Sequence, residues 1–200
     1  MTPLRPSDAP RREPSFPRAS AAQLGMYVAL ASLSVLFAAS LVAYFVTRAQ
    51  STVWRDQAAA DLPAGLWASS CVLVLLSVAL RYGEGGIRRN LPDRLVLGQG
   101  LGVILACAFL ALQTKNWLEV AGTGLSGPPK SLYEFTFYML TGLHALHVVA
   151  GVVPLLVVLR RAHEREYSSS HHEGVRLTRQ YWDFLLVVWW ILFLAISLGS

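Results

Sequence analysis

Charge is scarce in this chain of 200 residues: Lys, Arg, Asp and Glu together make up 14% of it, against roughly 25% in an ordinary soluble domain. That shortage excludes a disordered chain and argues against a water-soluble enzyme of this length, whose surface would need far more charge. Cysteine is scarcer still, with two residues. Cys71 and Cys107 stand inside apolar runs without CxxC spacing, which excludes a disulfide scaffold and reads as small packing residues. The net charge of +5 would suit nucleic acid only if the basic residues lined one face of a folded domain. They fall instead between long uncharged runs, so no nucleic-acid partner is expected.

What is present is apolar. Hydrophobic residues make up 54% of the chain and the mean hydropathy is +0.45. Uncharged runs cover residues 24–46, 62–80, 95–114 and 135–159, and a fifth, 181–200, carries only Asp183 near its start. A hydrocarbon core of about 30 Å needs about 20 helical residues, and these runs are that long. Backbone groups in lipid must be satisfied within their own segment, and the period-two alternation of barrel strands is missing. The expected fold is therefore all-α, an integral membrane bundle of five transmembrane helices over residues 23–200. Residues 1–22 hold five prolines and four arginines, which predicts a disordered basic tail. The first run is longer than a signal-peptide core and no small-x-small cleavage site follows it, so it is expected to stay as an anchor.

Lys and Arg set the expected orientation. Thirteen lie in the tail and in the second and fourth connections, while four lie in the first and third, at Arg48, Arg55, Lys115 and Lys130. This asymmetry predicts a cytoplasmic N-terminus and a periplasmic C-terminus, the split that five spans require. The fourth connection contains His171 and His172, read as solvated loop histidines rather than a metal site.

Polar residues at membrane depth carry the functional question, because such groups are costly without partners. The run 137–151, FYMLTGLHALHVVAG, is the richest. Thr141, His144 and Gly151 share a helix face with Phe137, and His147 lies about 60° from His144 at 100° per residue. Two histidines on one turn cannot take opposite axial positions of one haem iron, and no other span holds a histidine. The pair therefore reads as neutral side chains hydrogen-bonded to neighbouring helices, a partner subunit or lipid head groups. Gly142, Ala145 and Gly151 would admit another helix closely, as would the Gly98, Gly102, Ala106 stripe of the third span. Pro154 frees the carbonyl of Ala150, so a bend is expected there. Gln113 and Trp117 sit at the outer end of the third span, within reach of the interface. Tyr181 and Trp182 read as interfacial anchors, and Asp183 pairs with Arg179 four residues earlier.

With these residues in view, FYMLTGLHALHVVAG resembles the fourth-span signature of subunit III of the haem-copper oxidases (cytochrome c oxidase polypeptide III). That family shows Phe-Tyr, Thr-Gly, then His-x-x-His-Val and a Gly four residues later. Tyr181-Trp182-x-Phe184 followed by Val187-Val188-Trp189 resembles the family's YWHFVDVVW, and Leu24-Gly25-Met26 with Ala31-Ser32 and Phe37 resembles its LGMWLFLASEVMLF. Trp67 fits the next span, and Leu101-Gly102 with Gln113 the third. The likeness runs over about residues 23–198, and the five-helix count resembles the short bacterial form. Three positions depart from it: the family's intramembrane Glu is Leu33, the His and Asp of YWHFVD are Asp183 and Leu186, and the Glu after the Gln is Asn116.

The resemblance implies an accessory, non-catalytic subunit in the bacterial plasma (inner) membrane, serving aerobic respiration without redox centres of its own. It implies packing on catalytic subunit I with subunit II in the same complex, haem and copper in those partners, and structural phospholipid bound to this chain. It also implies support of proton uptake and of the durability of the complex. The candidate lipid or subunit-interface residues are Tyr138, Thr141, Gly142, His144, His147, Gly151, Gln113, Trp67, Tyr181, Trp182 and Asp183, and no catalytic or metal-ligating residue is expected. A component of a nitric oxide reductase or quinol oxidase is the nearest alternative. A small independent cytochrome or a transporter is more remote, since no Asp or Glu lies inside the first four uncharged runs.

Overall fold

The computed structural model describes residues 20–51, 65–121 and 132–199. The expected tail lies outside the described residues except for its last three, and so do Arg55 and Lys130. Among the described residues five helices make up the regular structure: α1 (Ala21–Gln50), α2 (Gly65–Arg88), α3 (Pro92–Ala121), α4 (Leu132–His163) and α5 (Glu173–Gly199). Each is long and apolar enough to cross a membrane. The chain is thus a five-helix, multi-pass membrane protein, and the described residues contain no strand.

Most helices run past the uncharged runs that announce them. Thirty residues of α1 or α3 rise about 45 Å at 1.5 Å each, more than the hydrocarbon thickness. Backbone hydrogen bonding continues into the interface, where charged side chains can be solvated, so charge marks the membrane boundary and not the helix end. Caps mark the ends instead. The Ser20 side chain accepts from the Gln23 N–H at 3.1 Å and starts α1. Pro92 opens α3 at a position whose N–H would have no intrahelical partner anyway. Asn90, between α2 and α3, takes a left-handed φ of 56°, a conformation that Asn adopts more readily than most residues. Helix α4 continues through Pro154.

Helices α2 to α5 form a ring of neighbours, α2 on α3, α3 on α4, α4 on α5 and α5 back on α2. The α2–α3 hairpin is the tightest pair because glycines let the backbones meet. A Cβ on Gly98 would lie 2.6 Å from the Ala79 carbonyl and 2.7 Å from Gly83 Cα. Gly102 packs against Leu80 and Leu155, and Ala106 is fully buried, so the small-residue stripe of α3 serves close packing as expected. Helix α1 stands apart. Among the described residues it touches only α4 and α5, and it buries only Phe37 and Tyr44.

Cys71 and Cys107 lie on the outer surface, not in packed interior as their apolar surroundings suggested. An apolar neighbourhood in a membrane sequence means lipid as readily as core.

Candidate functional site

The centre of the bundle is built on His144. Its ring is fully buried, with Trp189 of α5 at 5.1 Å, Phe109 of α3 at 5.7 Å and Phe37 of α1 at 6.2 Å between ring centroids. His147, half-buried one turn on, places Nδ1 2.8 Å from the Leu143 carbonyl and its ring 5.3 Å from Phe37. The pair thus seats α1 on the bundle through one phenylalanine. Around this centre, hydrogen bonds tie the helices together. Trp189 Nε1 donates to Ser70 of α2 at 2.8 Å, and Tyr181 Oη donates to the His147 carbonyl at 2.9 Å. Trp117 Nε1 donates to Thr141 Oγ1 at 3.0 Å, Tyr138 Oη donates to the Trp117 carbonyl at 3.0 Å, and Asn116 Nδ2 donates to Ser69 at 3.2 Å. Each removes a polar group from the membrane interior at the expected worth of about 1 kcal/mol or less.

The sequence-marked residues separate on this frame. Thr141, His144, Gln113 and Trp182 are enclosed by the chain's own helices. Gly151 receives the rings of Tyr181 and Trp182 against its Cα: a Cβ there would lie 2.7 Å from Tyr181 Cε1 and 3.2 Å from Trp182 Cζ2. Trp182 is therefore a core residue and not an interfacial anchor, because the glycine opposite leaves a slot an indole can fill. Gln113 turns inward rather than toward the interface. Gly142 meets nothing within 4 Å among the described residues, so none of their helices packs against it. Trp67 is exposed on the outside of α2, edge-on to Phe193 at 4.8 Å.

Asp183 belongs to a larger assembly than its sequence neighbour implied. Arg179 contacts both Asp183 and Glu84 of α2. Arg81 reaches Asp183 at 2.8 Å, Ser77 donates to it at 2.5 Å, and Arg88 reaches Glu84 at 2.5 Å. Glu84, only 5% exposed at its side chain, escaped the sequence reading because it stands four residues beyond the uncharged run. The signal was there: Arg81, Glu84 and Arg88 at i, i+3 and i+7 share one face of a helix that continues past Leu80. Three arginines and two carboxylates clamp α2 to α5 at the arginine-rich end of the bundle.

At that same end the connections are pinned to one another. Arg165 reaches Asp93 at 2.6 Å, the Ser169 N–H donates to Asn90 Oδ1 at 3.2 Å, and Ser20 contacts Glu173. Beyond α4, the hydrogen bond from Arg160 holds the Glu164 carboxyl below its ordinary range. Burial raises the Tyr167 phenol above its ordinary value of 10.0.

The interior is held by aromatic, hydroxyl and amide contacts, with ion pairs at one end. The sequence profile of the family Cytochrome c oxidase subunit III matches residues 16–199. A cytochrome c oxidase subunit 3 from Synechocystis sp. is 30% identical over 176 residues, 87% of this chain and 74% of that one. One from Corynebacterium diphtheriae is 27% identical over 192 residues, 94% and 93% of the two chains. One from Spodoptera frugiperda is 32% identical over 128 residues, 64% and 84%. A match over nearly the whole bundle, with the His144 and His147 helix inside it, means that this chain belongs to the cytochrome c oxidase subunit III family and is an accessory subunit of a haem-copper oxidase.

Proposed function

We propose that the chain packs on the catalytic haem-copper subunit, with subunit II in the same complex, in the bacterial plasma membrane, with its N-terminus cytoplasmic. In this reading it holds structural phospholipid and supports proton uptake and the durability of the oxidase, while haem and copper reside in the partners. The observation that carries the lipid part is the gap beside α1. Because α1 touches the ring only at α4 and α5, a cavity of about 220 Å³ opens between α1 and α4, lined by Ser40, Ala43, Tyr44, Thr47, Phe135 and Met139. Largely apolar walls suit an acyl chain.

The test is purification from native membranes in mild detergent, followed by subunit identification and phospholipid analysis. The chain is expected to co-purify with the catalytic subunit. Ala43→Phe, which fills the gap from an exposed position on α1, is expected to leave the partner's haem spectrum unchanged and to lower the phospholipid retained. Equal phospholipid in both preparations would overturn the lipid assignment; failure to co-purify with any haem-bearing chain would overturn the rest.

A further inference from the structure

Four buried polar atoms at one level of the bundle have no hydrogen-bond partner among the described residues: Gln113 Oε1 and Nε2, and His144 Nδ1 and Nε2. Both side chains are enclosed, at 1% and 0% exposure. The helix register places them opposite one another. Helices α3 and α4 run antiparallel, with Gly102 against Leu155 and Trp117 bonded to Thr141. Gln113 lies eleven residues after Gly102, and His144 lies eleven residues before Leu155. Trp189 and Ser70 complete the level, since Trp189 packs on His144 and bonds to Ser70. Ser70 in turn donates to the Leu66 carbonyl at 2.9 Å, so its proton is already engaged. Aromatic faces surround His144 on three sides and offer no lone pair.

An amide and an imidazole together present three N–H donors and two acceptor atoms, because a neutral imidazole donates from one nitrogen and accepts at the other. Unmet groups of this kind are rare in native interiors and are most costly where lipid excludes bulk water. A bound water needs two to four polar partners, and the amide and the imidazole at this level carry that many unmet atoms. Asn116, one turn outward, adds an unpartnered Oδ1 toward the outer end of the bundle, a further polar step between this level and that surface.

We propose that Gln113 and His144 form an internal water-binding site that bridges α3 and α4 at the centre of the bundle. Water there holds the two helices in register through a polar link that neither side chain makes by itself. The site is independent of the phospholipid reading, which concerns the gap between α1 and α4.

Hydroxyl-radical labelling of the intact oxidase in lipid nanodiscs, in ordinary and in heavy-oxygen water, tests it. Radicals form where water is bound, so His144, Phe109 and Trp189 are expected to take up oxygen despite their burial, while Leu155, equally buried but eleven residues along α4 from His144, is not. In the Gln113→Leu His144→Leu double variant, the labelling of Phe109 and Trp189 is expected to be lost. An unlabelled centre in the native complex would overturn the proposal, whether the layer is dry or the two side chains bond directly. So would labelling that persists in the double variant. Should that variant not assemble, the native comparison of Trp189 with Leu155 decides alone.

Discussion

At the residue scale, ion pairs that look alike in the sequence do different work. Arg160–Glu164 and Arg179–Asp183 are both i, i+4 pairs, but the first is exposed while the second shares Arg179 with buried Glu84. Removing one member of a buried cluster leaves an uncompensated charge, whereas an exposed pair is screened by solvent. Glu84→Ala is therefore expected to destabilise the protein by about 3 kcal/mol, read from thermal unfolding in detergent. Glu164→Ala should leave the unfolding midpoint unchanged; equal effects of the two substitutions would show that the α2–α5 clamp is not structural. Tyr167 gives a pH dependence of the opposite kind to an acid transition. Its folded-state pKa is raised by burial, so the neutral phenol contributes stability that is fully present below its unfolded value of about 10. That contribution is lost as pH rises through the folded value. Hydrogen exchange across the start of α5 should accelerate above this range in the native protein. In Tyr167→Phe it should not.

At the scale of elements, the helices differ in how firmly each is held, and glycine accounts for much of it. On α3, Gly98 lies against backbone atoms of α2 that cannot swing aside. Gly98→Ala is expected to cost about 1–3 kcal/mol by overpacking. Gly142→Ala meets open space and should stabilise α4 by about 0.5–1 kcal/mol, the helix-propensity difference. Thermal unfolding of the two single variants distinguishes them, and the same sign for both would contradict the close α2–α3 contact. Helix α1 is the contrasting case, anchored in the bundle by Phe37 and Tyr44. Phe37→Ala should increase proteolysis and hydrogen exchange in α1 while leaving the α2–α3 hairpin protected, as expected where stability is not uniform.

At the scale of the whole molecule, the arginine-rich end unites the helix termini, the interloop contacts and the charge cluster. The orientation proposed from that asymmetry predicts that a periplasm-active reporter fused after Ser200 is active, and that one fused after Arg165 is inactive. The reverse pattern would overturn the orientation and leave the five helices intact. Function at this scale is collective. The chain offers surfaces and rigid helices to a larger oxidase, and the relatives matched over most of its length carry the name of that subunit.

The sequence by itself determined the number of helices, their order and the family, because each rests on local composition. An uncharged run of sufficient length must be helical in lipid whatever its neighbours do, and the 137–151 motif is contiguous. Partnership across helices was beyond it. Hydropathy does not separate a lipid-facing side from a protein-facing one when both are apolar, so Cys71 and Cys107 read as interior and Trp182 as interfacial. Glu84 became part of a clamp only when α2 extended past its uncharged run and brought the carboxylate to Arg179, 95 residues away in the chain. Gln113 and His144 come to one level for the same reason: the close approach at Gly102 and the Trp117–Thr141 bond set the register of α3 on α4. That register is a property of two packed surfaces and is written in neither run alone.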